Sequence, residues 1–268
     1  MRAVEGLPIG AALREAEQQV SGSLQFRHAF AAERLAMGQC GSHRTFTFVR
    51  NGKAVDVSIE QAGGAPTLFD HPPLEERDGV VLVDLNALSW DALQGELDRL
   101  AHARAVVFDL REYPAPGTLH ILEHLLTHTD DARGWMRLPW IDRPGRISGW
   151  TPLEWGLQPV APRIAGKVVF LTSSLAISAA ESILALVKGE HLGTLIGETT
   201  AGTNGNATGA RLPGGYWIQF TGMRVVQTDG SPLHLRGIVP DVAAHPTLEG
   251  LTAERDEVRD AAVEWVRR

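Results

Sequence analysis

The sequence predicts an α/β fold organised around a parallel sheet that is covered on both faces. Two observations carry this. Gly79–Asp84, Ala105–Leu110, Lys167–Thr172 and Thr194–Gly197 are four short, strongly apolar runs. Segments with helical spacing separate them, including one started by Ser89 with Leu93, Leu97 and Leu100 on its stripe, and another over Ser178–Val187. Apolar strands alternating with helices are the pattern of βαβ units, because a strand buried on both faces has no polar side to show.

The elements follow in order. Ala11 to Met37 reads as helix, interrupted near Ser21-Gly22-Ser23. Thr45–Val49 and Val55–Ile59 alternate apolar and polar around Arg50-Asn51-Gly52-Lys53. Asn-Gly between two alternating runs specifies a hairpin, since both turn residues must take positive φ. Gly63-Gly64-Ala65-Pro66 then reads as a linker, giving a small module over residues 1–65 and a core over residues 66–268. In the core, a helix is expected from about Thr118 to His128. Residues 211–242 read as strand-like and rich in glycine and proline, and Thr252–Arg267 as a closing helix. Trp135 to Val160, with Trp135, Trp140, Trp150 and Trp155, reads as a long loop packed by its own side chains or as a flap lining a substrate site.

Composition narrows the function. Of 268 residues, 44% are hydrophobic and 21% charged, and the net charge is −7, which argues against nucleic acid or an anionic membrane as the main partner. The apolar runs are too short to span a bilayer, and the opening Met1-Arg2-Ala3-Val4-Glu5-Gly6 lacks the pattern of a secretory signal, so the compartment stays open. Cys40 is the single cysteine, excluding an internal disulfide. His120, His124 and His128 recur every fourth residue, but a partly solvated helix face accounts for them better than a metal site does, and no metal or cofactor is expected.

The chemistry concentrates in Thr172-Ser173-Ser174-Leu175-Ala176-Ile177-Ser178, a strand running into a helix. A serine there stands beside unpaired helix N–H groups, and an oxyanion forming nearby would be stabilised by the Ala179 N–H. The bland alternative is an N-cap, since Ser178 with Glu181 fits a capping box. Gly202-Thr203-Asn204-Gly205-Asn206 reads as a loop closing over the serine, with Gly202, Thr203 and Gly205 as substrate-contacting positions.

Gly166–Leu171, Ser178-Ala179-Ala180-Glu181, Gly197-Glu198-Thr199-Thr200-Ala201-Gly202, Leu212-Pro213-Gly214-Gly215, Gly237–Val242 and Asp256-Glu257 occur in that order, with Asp109-Leu110-Arg111 upstream. This set resembles the core of the tail-specific (C-terminal processing) and tricorn-like serine peptidases. The resemblance implies a ClpP/crotonase-like core of stacked ββα units, and it makes the N-terminal module similar to the last part of a PDZ-like domain. It implies Ser178 as nucleophile, hydrolysis of peptide bonds through an acyl-enzyme, and peptides or unfolded proteins as substrates, with self-association left open. Two other readings remain: a relative that binds peptides without cleaving them, and a crotonase-type acyl-CoA enzyme on the same fold.

The lysine used as base in the tail-specific branch is replaced here by Thr203, and its supporting glutamine by Ala207. Of the three lysines, Lys188 lies about 15 Å along the helix from Ser178, and Lys167 starts the preceding strand at its opposite end. The chain therefore resembles the branch with a histidine base, for which His234 and His43 are the candidates. After Asp-Leu-Arg the run is Glu112-Tyr113-Pro114-Ala115-Pro116-Gly117. Prolines have no N–H, so Ala115 and Gly117 are the candidates for the second oxyanion donor.

Overall fold

A computed structural model describes residues 1–61, 68–130, 135–153 and 156–268. It divides into two compact units, Met1–Asp70 and His71–Arg268. The expected linker Gly63-Gly64-Ala65-Pro66 lies outside the described residues.

The first unit holds β1 (Ala3–Val4), β2 (Leu7–Pro8), α1 (Ile9–Gln18), α2 (Leu24–Ala36), β3 (His43–Arg50) and β4 (Lys53–Glu60). Its antiparallel sheet has the order β2-β1-β3-β4. The helical run breaks where Gly22 takes φ 139° and the Ser23 hydroxyl accepts from Phe26 N, starting α2 afresh. The β3–β4 hairpin turns through Asn51 and Gly52 at φ 50° and 75°, as its dipeptide requires.

The second unit contains β5 (Leu74–Arg77), β6 (Val80–Asp84), α3 (Trp90–Gln94), α4 (Leu97–His102), β7 (Ala105–Asp109), a 3-10 helix (Thr118–His124), β8 (Met136–Arg143), β9 (Arg146–Leu153), β10 (Lys167–Thr172) and α5 (Ala179–Gly189). It continues with β11 (Thr194–Gly197), β12 (Ala207–Arg211), β13 (Trp217–Thr221), β14 (Arg224–Val225), β15 (Val242–Ala243), α6 (Leu248–Thr252) and α7 (Glu257–Arg267). The main sheet has six strands in the order β15-β11-β10-β7-β6-β5, parallel except for the β5 edge.

Alternation along each strand splits the core in two. Val81, Val83, Val106, Phe108, Val168 and Phe170 face α3, α4, the 3-10 helix and α5. Val80, Leu82, Val107, Val169, Leu171 and Ile196 face the apolar stripe of α7, which is Val258, Ala262, Val263 and Val266. The strands approach closely at their carboxyl ends: Gly197 stands at φ 139°, and a Cβ there would fall 1.9 Å from Thr172 O. That carboxyl edge carries the loops of open α/β sheets, and the loops after β7 and β10 start from it.

Three expected elements differ. The helix foreseen over Thr118–His128 is a 3-10 turn ending at His124, begun without a side-chain cap after Gly117 at φ 84°. The 135–160 segment is not a loop through its middle: β8 and β9 form a hairpin, with β14 pairing on the other side of β8 at Met136 and Arg137. Trp155, expected in the same segment, lies outside the described residues. The closing helix foreseen from Thr252 begins only at Glu257, where the Asp256 side chain accepts from Arg259 N and caps α7, while Thr252 ends the separate helix α6.

Candidate active site

Ser178 stands at the N-cap position of α5 but does not cap it through its hydroxyl. Its side chain makes no cap bond, and its backbone sits at φ 56° and ψ −108°, a rare conformation for a residue with a Cβ. The turn is pinned from both sides, with Ser178 N donating to Thr203 O at 3.0 Å and Ser178 O accepting from Ser182 N and Ser182 Oγ at 3.0 and 3.2 Å. This sharp passage from strand to helix places the serine in a cleft of about 550 Å³.

Of the capping box foreseen for Ser178 and Glu181 only the Glu181 half forms, its carboxylate reaching back to the Ser178 backbone N–H, and that carboxylate has further partners. Buried, it accepts from Thr200 Oγ1 at 2.5 Å, Gly202 N at 2.7 Å and Thr203 N at 2.9 Å. The Thr200 hydroxyl in turn accepts from Ile238 N at 2.7 Å. Burial pushes the Glu181 carboxyl above its ordinary value, opposed by the hydrogen bonds from Thr200, Gly202, Thr203 and the Ser178 backbone. The effect is to clamp the 200–203 loop onto the first turn of α5. It also spends the Gly202 and Thr203 N–H groups on Glu181, so of the three substrate-contacting positions only Gly205 lines the cleft.

The opposite wall is the 113–119 loop after β7, with Tyr113, Pro114, Ala115, Pro116, Gly117 and Leu119 on the cleft. Ala115 was a candidate oxyanion donor, but its N–H donates to Leu85 O at 2.8 Å. Gly117 stands at φ 84° with its N–H directed to none of the described hydrogen bonds, as is that of Ala179. A Cβ at Gly117 would come within 2.9 Å of Trp90 Cβ, so the position is closed to side chains. Met136, Leu153 and Ile183 add apolar surface, while Ser182 and Asn204 add polar surface and are joined by Asn204 Nδ2 donating to Ser182 Oγ at 3.2 Å. Ser182 and Asn204 escaped the sequence reading, although Ser182 lies one helical turn beyond Ser178 on the same face.

An ion-pair network supports this edge of the sheet. Arg111 binds Asp109, on β7, and the Asp256 cap of α7, with Nη2 at 2.6 Å and 2.8 Å from their carboxylates. Burial alone would lower the guanidinium pKa, but Asp109 and Asp256 raise it. Burial likewise disfavours charge on Asp256, and Arg111 reverses this to hold it below the ordinary 3.8. The Ser173 hydroxyl donates to Arg111 O, tying the strand before Ser178 to the loop that carries Gly117.

His234 is exposed and does not line the cleft. The turn that carries it is fastened to the serine loop, with Leu235 N donating to Gly202 O at 2.8 Å. Among the described residues, no histidine, lysine, aspartate or glutamate lines the cleft. His43 lies in the first unit, exposed at the start of β3. His120, His124 and His128 go separately to Glu123, Pro162 O and Glu190, and the described residues contain no group of three side chains suited to a metal.

Solved structures with the same fold include a candidate peptidase from Parabacteroides merdae ATCC 43184, with TM-score 0.62, 15% identity, and 97% of this chain covering 89% of that one. Mature CPAF aligns with TM-score 0.71 and 12% identity over 99% of this chain and 74% of its own. The photosystem II D1 C-terminal processing protease aligns with TM-score 0.51 and 17% identity over 94% of this chain and 66% of its own. No curated protein matches the sequence. Residues 128–244, which include Ser178 and the loop clamped by Glu181, match peptidase family S41, and in this the chain resembles a serine-type peptidase.

Proposed function

We propose that the protein is a serine endopeptidase acting through an acyl-enzyme on Ser178. The observation that carries the reading is the strained turn at Ser178, opening into a cleft between two N–H groups, Ala179 and Gly117, that have no described partner. In this reading Ser178 Oγ gives up its proton and bonds to the scissile carbonyl carbon. The carbonyl oxygen becomes an oxyanion held by the Ala179 and Gly117 N–H groups. The C–N bond then breaks, the amine leaves with the proton, and water releases the acyl group in a second cycle. The wall of Leu119, Met136, Leu153 and Ile183 supports an apolar side chain beside the scissile bond. The first unit reads as a partial PDZ-like module, supported by its helix pair and its β3–β4 hairpin.

His234 is the proposed base, supported by the hydrogen bond from Leu235 that fastens its turn to the serine loop. Catalytic hydrogen bonds often tighten only when substrate is present. A second reading, a relative that binds peptides without cleaving them, is favoured by the lack of a titratable base among the described cleft residues.

A fluorophosphonate probe separates the two. Wild type should label and Ser178→Ala should not, while His234→Ala should label about 100-fold more slowly. Equal labelling of wild type and Ser178→Ala would overturn the nucleophile, and an unlabelled wild type would favour the second reading.

A further inference from the structure

We infer that the β8–β9 hairpin carries a second substrate subsite, an aromatic platform at Trp140 that holds an apolar side chain of the same polypeptide some four residues from the one in the cleft. The inference rests on the cleft at Ser178 being a peptide site.

Side chains alternate along a strand, so Met136, Leu138 and Trp140 share one face of β8. Their partners across the hairpin are Leu153, Thr151 and Gly149. Met136 and Leu153 line the cleft. The wall of the cleft therefore continues outward along the hairpin as one strip, first Leu138 beside Thr151 and then Trp140 beside Gly149. Leu138 is 37% exposed and Trp140 61%.

Trp140 is not simply a solvated aromatic. Its indole lies against Gly149, where an added Cβ would meet the ring at 3.5 Å. Its Nε1 donates to Thr151 Oγ1, back along the strip toward the cleft. The one polar atom is thus satisfied by the protein, the ring is held in place, and an apolar face is left to solvent. Such a surface binds at low entropic cost, because nothing remains to be ordered. From Met136 to Trp140 the strand advances about 13 Å, and an extended substrate advances by the same amount over four residues. The occupant favoured by this continuity is the substrate chain itself.

The test uses the 268-residue protein with Ser178→Ala and fluorescein-labelled nonapeptides of glycine and serine with leucine at position 5. One peptide has no other apolar residue, and two others add tryptophan at position 1 or position 9. Binding is followed by anisotropy. One tryptophan peptide should bind about tenfold or more tightly than the leucine-only peptide. Adding Trp140→Ser should remove that gain without changing the leucine-only affinity, whereas Trp140→Phe should keep it. Equal affinity for all three peptides, or a gain that survives Trp140→Ser, overturns the inference. So does a Trp140-dependent dimer in sedimentation, or Trp140-dependent binding to phosphatidylserine vesicles in place of peptide. Because binding is read without cleavage, failure of the hydrolase reading appears separately, as a wild type that binds these peptides and is never labelled at Ser178.

Discussion

At Ser178 the chain holds φ 56° and ψ −108° without glycine, at a cost on the order of 1–3 kcal/mol. The Thr203 carbonyl and the Ser182 N–H and hydroxyl over-determine the turn, so the strain persists. A serine kept where glycine would be easier is hard to explain by packing alone. Ser178→Gly should therefore raise stability by about 1 kcal/mol, read as a higher urea midpoint, while abolishing fluorophosphonate labelling. A destabilised Ser178→Gly would show that the hydroxyl serves the fold.

Between elements, the Arg111 network joins the end of β7 to the first turn of α7 and, through Ser173, to the strand that leads to Ser178. Asp256 is nearly inaccessible, so removing its charge leaves Arg111 half-compensated in a buried setting. Asp256→Asn should cost about 3 kcal/mol in chemical denaturation. Asp256 has its folded pKa depressed below 3.8, so its contribution is present above that value and lost as pH falls through the lower folded one. The gap between wild type and Asp256→Asn should accordingly narrow when unfolding is measured at pH 3 rather than pH 7. An unchanged gap would assign the cost to lost packing.

For the molecule as a whole, both buried clusters of the α/β core draw only on residues of the second unit. Residues 71–268 expressed alone should therefore unfold cooperatively and keep the helical circular dichroism of α5 and α7. Labelling of Ser178 in that fragment would place every group needed for its activation within the second unit. A fragment that fails to unfold cooperatively would show that the two clusters do not suffice for an independent fold.

The sequence by itself determined the four apolar strands, the Asn51-Gly52 hairpin and the strand-to-helix passage at Ser178, because each is written in neighbouring residues whose periodicity or backbone freedom acts locally. It also placed Ala179 and Gly117 as candidate donors. The tertiary structure decided the rest. Which N–H groups stay unpaired depends on distant carbonyls and carboxylates: Ala115 is taken by Leu85, and Gly202 and Thr203 by Glu181. Glu181 reads in sequence as half of a capping box, and only long-range pairing makes it the clamp of the 200–203 loop. The β8–β9 hairpin was hidden because Pro139, Gly149 and the bulges beside Ile141 blur its alternation. The pairing of β14 with Met136 and Arg137 was hidden as well, because no run of adjacent residues encodes it.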